Sequence, residues 1–202
     1  QGTSRYRFRA QLVIAFAAAG AFRPGQLVVH TSGAHGLAPL RPAAAHGALT
    51  AAVHPAMTFT GADDDAQRLQ QGEVTFGITA DPRARKRAAR LVADLGGIPE
   101  WIAEADRTLY HAALAHGANH LVTLVNDAVD VLRAAGVEQP ARVLSPLLHA
   151  ALDNALRLGD AALTGPVARG DAGTVGKHLD RLPGDVRAEQ IEQVDDTFAM
   201  LG

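Results

Sequence analysis

Gln26-Leu27-Val28-Val29-His30-Thr31-Ser32-Gly33-Ala34-His35-Gly36 runs from a short apolar, partly β-branched segment into a turn of small and polar residues. Such a run suits a strand buried in a parallel sheet, and the glycines after it suit a turn into a helix over 37–46. The same cycle recurs on both sides. Upstream, the alanine-rich segment from Ala10 to Ala21 reads as a helix that stops at Gly20 and Pro24-Gly25. Downstream, Ala51-Ala52-Val53-His54 reads as a second buried strand cut off by Pro55, and Val74 to Thr79 as a third. Asp81-Pro82 then caps a helix to Leu95 that ends at Gly96-Gly97, and Pro99-Glu100-Trp101-Ile102 is a weaker strand. Strands alternating with helices predict an α/β layer with a parallel or mixed sheet over 10–102.

Beyond residue 103 the pattern changes. From Glu104 to Ala135 there is no proline, and Leu109, Leu114, Leu121, Val125, Val129 and Leu132 spread over nearly every side of a helical wheel. A helix apolar all round is expected to be buried all round. A second helix is expected from Pro140 or Ser145 to Leu163, with Pro146 in its first turn or at a kink, and Asp171 is expected to cap a third that reaches Leu182. The organisation is therefore an α/β part over 1–103 followed by an all-α part over 104–202.

The chain has 202 residues, 48% hydrophobic and 20% charged, with 19 basic against 21 acidic side chains. That is a folded, soluble composition, and it shows neither the basic excess of a nucleic-acid binder nor an uninterrupted membrane-spanning run. Cysteine is absent, which excludes disulfides and thiolate metal centres and is compatible with the cytoplasm. No Gly-x-Gly-x-x-Gly and no Gly-x-x-x-x-Gly-Lys-Ser/Thr phosphate loop occurs.

Four places carry polar groups that packing alone does not require. Thr31-Ser32-Gly33 follows a strand, where open α/β sheets present ligands with backbone donors and small hydroxyls. From pattern alone it reads first as a polar strand-to-helix turn. His54-Pro55 ends the next strand, and its imidazole can donate to a carbonyl oxygen or move a proton near neutral pH, or else hold a loop. In Tyr110-His111 to Asn119-His120, Asn119 sits in a mostly apolar helix and needs a partner, since an unpaired buried amide costs about 1–3 kcal/mol. His116 and His120 have the spacing of two metal ligands on one helix face, but Gly117 stands where a zinc protease needs glutamate. Ordinary polar or interface histidines are the expectation, with no metal. Finally, Gly165-Pro166-Val167-Ala168-Arg169-Gly170-Asp171 is a rigid turn presenting Arg169 to a carboxylate or phosphate, or to Asp171.

In their order and separations, His30 to Gly36, His54 to Phe59, Tyr110 to Asn119 and Gly165 to Asp171 resemble a family of bacterial Rossmann-like oxidoreductases with a helical C-terminal domain of unknown function. Its layout is similar to pyrroline-5-carboxylate reductase, ketopantoate reductase and 6-phosphogluconate dehydrogenase. The resemblance, over about 12–180, implies NADP or NAD as cofactor, a small carbonyl, imine or hydroxy-acid substrate, and a homodimer formed through the helical domain. It implies Thr31, Ser32, Gly33 and Pro55 beside the cofactor, His54 and Asn119 polarising the reacting group, and Tyr110, His116 and Arg169 toward the substrate. The family's first βαβ region with its glycine loop is missing, so the chain reads as N-terminally truncated, and the end after Lys177 diverges. In the Lys-x-x-x-Asn pair of the related β-hydroxyacid dehydrogenases, Asn119 matches the asparagine while Ala115 replaces the lysine, leaving His54 or His116 for proton transfer. The alternative readings are a non-catalytic dimerisation or small-molecule-binding module and a histidine-based metallohydrolase.

Overall fold

A computed structural model describes residues 11–59, 61, 64–70, 74–184, 186–188 and 191. It divides the chain into two compact units, 1–118 and 119–202. The change of composition near 103 coincides with the entry into the long helix, and the units divide farther along, within that helix.

The first unit is built on a four-stranded sheet in the order β1 (Leu27–His30), β2 (Leu49–Pro55), β3 (Thr75–Ala80), β4 (Ile98–Trp101). The sheet is mixed: β1 runs parallel to β2, β2 antiparallel to β3, and β3 parallel to β4. Helix α1 covers 11–18, α2 is Arg41–Ala45, α3 is Asp64–Gln70 and α4 is Arg85–Asp94. The helix read over 37–46 is split into a 3-10 turn, Ala38–Leu40, and α2.

Alternation along the strands produces the core. Ala51 and Val53 of β2 and Phe76 and Ile78 of β3 point to one face, where Ala88 and Val92, one turn apart on α4, cover them. The small alanines of β2 let α4 lie close to the sheet. Gly96, at φ +77°, then turns the chain out of α4 in a backbone conformation that side chains rarely adopt. β2 ends at Pro55, as expected. The proline lies opposite Phe76, where a missing donor removes little from the ladder. Asp81 does not cap α4 directly: its carboxylate accepts the Arg83 N–H at 2.8 Å, and the helix starts at Arg85.

The second unit is helical. Helix α5, Arg107–Ala134, enters it, followed by α6, Pro140–Leu158, and α7, Ala172–Leu179. Pro146 lies inside α6, and Asp171 caps α7 by accepting the Thr174 N–H at 3.0 Å. The expectation that α5 is buried on every side fails for the single chain: Leu109, Val122 and Leu124 are 72%, 61% and 57% exposed. No helix among the described residues is long and apolar enough to cross a membrane.

Candidate functional site

The face of β2 opposite the core carries His54, directly across the ladder from Gly77 of β3. The missing side chain at Gly77 makes the site possible, because a Cβ there would lie 2.5 Å from the Tyr110 hydroxyl. Tyr110, in the first turn of α5, therefore lies over the strand, and its hydroxyl meets His54 Nδ1 at 3.0 Å. The two rings are edge to face, with centroids 5.7 Å apart. Gly33 closes the other side. A Cβ on it would come within 2.9 Å of His54 Nε2 and 2.5 Å of His111 Cδ2, so the turn after β1 packs its bare backbone against both imidazoles.

Beneath these rings lies Arg107, only 1% exposed. Its Nη1 donates to the Gly77 carbonyl at 2.9 Å and its Nη2 to the Ser32 carbonyl at 2.6 Å, while Nε has no hydrogen-bond partner. One guanidinium thus ties the turn after β1 to the middle of β3 and to the start of α5. Burial lowers its pKa, but a guanidinium keeps its proton, so the cluster contains a buried cation hydrogen-bonded to carbonyl oxygens.

The turn itself is held by its own polar groups. His30 donates from Nε2 to the Gly36 carbonyl at 2.7 Å and accepts the Ser32 N–H on Nδ1 at 3.2 Å, which fixes its tautomer. Ser32 Oγ and His35 Nδ1 are 2.7 Å apart. Both carboxylate oxygens of Glu104 accept the Leu37 N–H at 2.9 Å, and Gly36 leaves the room that this carboxylate occupies.

The electrostatics follow from burial next to a cation. Desolvation first, then Arg107 and His111, lower the His54 pKa to about 4. His54 is therefore a neutral imidazole across the physiological range, in place of the near-neutral titration expected from its residue type alone. Burial also lowers His30 and His35 and raises Tyr110, the last against the opposing effects of Arg107 and the Gly77 amide. A phenol that keeps its proton donates to His54 Nδ1. The imidazole proton is then on Nε2, which has no hydrogen-bond partner among the described residues.

Of the residues singled out in the sequence, the fold gathers Ser32, Gly33, His54 and Tyr110. Thr31 is exposed next to them in the chain, and Pro55 is half-buried after His54. His116 lies exposed farther along α5. Asn119 and Arg169 belong to the second unit, where both are exposed. The buried amide expected at Asn119 is not found: the residue and its apolar neighbours Leu121 and Val122 are exposed, and its backbone carbonyl accepts from Thr123 Oγ1 at 3.3 Å. Arg107 and Glu104 were not legible as site residues, since a charge at a helix start is usually solvated. The available signal was Gly77, a glycine in the middle of a strand, which marks a close approach from another element. Among the described residues no three histidines or carboxylates gather as a metal site.

Residues 74–199 match the family described as a domain of unknown function (DUF2520), and residues 8–55 match a Rossmann-like domain. No curated protein matches the sequence. Among solved structures, the chain is similar to protein TM1727 from Thermotoga maritima, with 21% identity over 85% of this chain and 68% of that one, at a TM-score of 0.66. A protein of Bacteroides fragilis described as an NADP oxidoreductase is similar at the same identity and score, over 85% of this chain and 64% of that one. Pyrroline carboxylate reductase of Plasmodium falciparum, with NADP bound, is similar at 15% identity and a TM-score of 0.53, over 86% and 69% of the two chains. This chain thus spans about two thirds of the length of these structures, and at such identities the likeness is one of fold. The match over most of its length makes the chain a member of the DUF2520 family, with a Rossmann-like sheet ahead of the helical region.

Proposed function

We propose that the protein is an oxidoreductase that uses NADP or NAD on a small carbonyl, imine or hydroxy-acid substrate. The observation that carries this reading is His54: half-buried near the end of β2, fixed at Nδ1 by Tyr110 and unpartnered at Nε2 beside the Gly33 backbone. The descriptions of two structural neighbours, an NADP oxidoreductase and a reductase with NADP bound, support the cofactor class. The turn Thr31-Ser32-Gly33 suits the nicotinamide end, since it offers small side chains and bare backbone at a strand end. The pyrophosphate needs donors other than a Gly-x-Gly-x-x-Gly turn, which the sequence does not contain.

When bound, the nicotinamide supplies or accepts a hydride. The chain's own residues supply the rest. His54 Nε2–H donates a hydrogen bond to the substrate oxygen or nitrogen on which negative charge grows, and Tyr110 holds the imidazole in the tautomer that can do so. Arg107, its guanidinium 5.4 Å from the Tyr110 ring centre, adds a positive field while holding the Ser32 and Gly77 backbone in place. His116 is proposed as a further substrate contact. A second copy of the chain is proposed to cover the exposed apolar side chains of α5 and α6.

Titrating the isotope-labelled chain with NADPH, and separately with reduced nicotinamide mononucleotide, tests the assignment. Weak, millimolar binding that shifts the His54 and Tyr110 ring resonances is expected, and Tyr110→Phe should lower turnover of a carbonyl or imine panel by about 100-fold. Unmoved His54 resonances at saturating nucleotide, or turnover indifferent to both Tyr110→Phe and His54→Gln, would favour a non-catalytic module.

A further inference from the structure

A cavity lies in the first unit, away from His54. It measures about 410 Å³ and is bounded by Leu37 and Arg41, by the end of β3 and Arg85, and by Trp101 to Glu104. Its charges are arranged unusually. Most arginines nearby are engaged: Arg83 with Asp81 at 3.2 Å, Arg90 with Asp94 at 2.7 Å, and Arg87 with the Gly25 carbonyl. Arg41 and Arg85 have no carboxylate and no hydrogen-bond acceptor among the described residues, and both are exposed into the same cavity. The guanidinium of Arg85 lies 3.8 Å from the centre of the Trp101 ring. Stacking holds that plane against the indole and leaves its N–H groups free at the edge.

We propose that this cavity is a binding site for a small monocarboxylate with an apolar body. The planar forks of Arg41 and Arg85 match the two oxygens of a carboxylate, and each offers donors that no protein group uses. Leu37, Trp101 and Ile102 also line the cavity, and their apolar surface suits a short hydrocarbon body. Glu104 sets the charge. Two guanidiniums and one carboxylate leave a single net positive charge on the lining, which suits a monoanion and disfavours a dianion such as phosphate. The Glu104 carboxylate is already held by the Leu37 N–H, so it stays in the site as a fixed negative charge. Leu37 and Glu104 also hold the turn beside His54, but neither His54 nor Tyr110 lines this cavity, so binding here is measured apart from the oxidoreductase reading.

Trp101 is the chain's one tryptophan and lines this cavity as well as the hollow beside Leu109, Tyr110 and Ala113, so an emission change is assigned to this cavity by its loss in Arg41→Gln. The test is titration of the whole chain with hexanoate, with hexylamine and inorganic phosphate as the contrasting probes, followed by fluorescence and by calorimetry. Saturable, millimolar binding of hexanoate is expected, with hexylamine inert and phosphate weaker. Arg41→Gln and Arg85→Gln should each weaken hexanoate about tenfold, the loss of a charged hydrogen bond, and Glu104→Gln should tighten it. The variants are at exposed positions, and circular dichroism checks that they fold. Calorimetry replaces fluorescence for Arg85→Gln, whose starting emission differs. Phosphate binding more tightly than hexanoate, equal binding of hexylamine, no saturation, or unchanged affinity in both arginine variants would overturn the proposal.

Discussion

The two units solve the burial problem differently. The sheet unit buries its apolar side chains within itself, with Val53, Phe76, Ile78 and Val92 all under 5% exposed. In the helical unit, Leu144 is the sole member of the buried hydrophobic core among the described residues, while Val143, Leu147, Leu152 and Leu156 of α6 are 52%, 64%, 46% and 82% exposed. A sheet needs one covering helix to hide a face, and α4 provides it. Helices of this composition need neighbours on several sides. The lesson is that the same apolar richness stabilises the first unit on its own and asks for company in the second.

The sharpest way to break this contrast is at Arg107. Arg107→Ala removes the donor from two carbonyls in the interior of the first unit and empties the volume it filled, so a loss of about 3–5 kcal/mol is expected in urea unfolding. Arg107→Lys should recover only part of that, since an ammonium cannot span both carbonyls as a fork does. Equal stability of wild type and Arg107→Ala would show that the cluster does not hold the unit together.

A paired substitution sharpens the contrast itself. Ile78→Ala is expected to cost about 2–4 kcal/mol at any protein concentration. Leu124→Ala should cost under about 0.5 kcal/mol in dilute solution, and more as concentration rises if a second copy covers α5. Sedimentation alongside the melts decides it: a monomer at all concentrations with no exposed-patch dye binding would remove the need for a partner.

A further effect is the acid response of the first unit. The folded pKa of His54, about 4, lies below the ordinary value of 6.5, so between these values the unfolded chain binds the extra proton. The contribution is fully present above about pH 6.5 and is lost progressively as pH falls toward 4, by about 1–3 kcal/mol. Titration of the His54 ring protons should show a midpoint near 4, moving up when Arg107 is replaced by a neutral residue. A midpoint near 6.5 in the folded wild type would mean that the ring is solvated.

Much of the sheet was legible because glycine and proline punctuate it: the turns at Gly33, Pro55 and Gly96 bracket the strands and α4. The direction of β3 was not, since the same buried run serves a parallel or an antiparallel neighbour, and only the register of His54 against Gly77 distinguishes them. At the site, Ser32, Gly33, His54 and Tyr110 were legible from their place after strands or at a helix start. Arg107 was not, because its role depends on two carbonyls that are 75 and 30 residues away in sequence. The burial expected of Asn119 is not met for the opposite reason: apolar neighbours along a helix signal burial only if something covers that helix.

Arg107 also orders events during synthesis. The strands Leu27–His30, Leu49–Pro55 and Thr75–Ala80 all leave the ribosome before it, and the sheet can pair in their wake. The turn at Ser32 and the carbonyl of Gly77 still wait for a donor encoded later in the message. Only when the first turn of α5 has emerged does the cluster around His54 close, so a nascent chain that already carries all four strands still has an unfinished site.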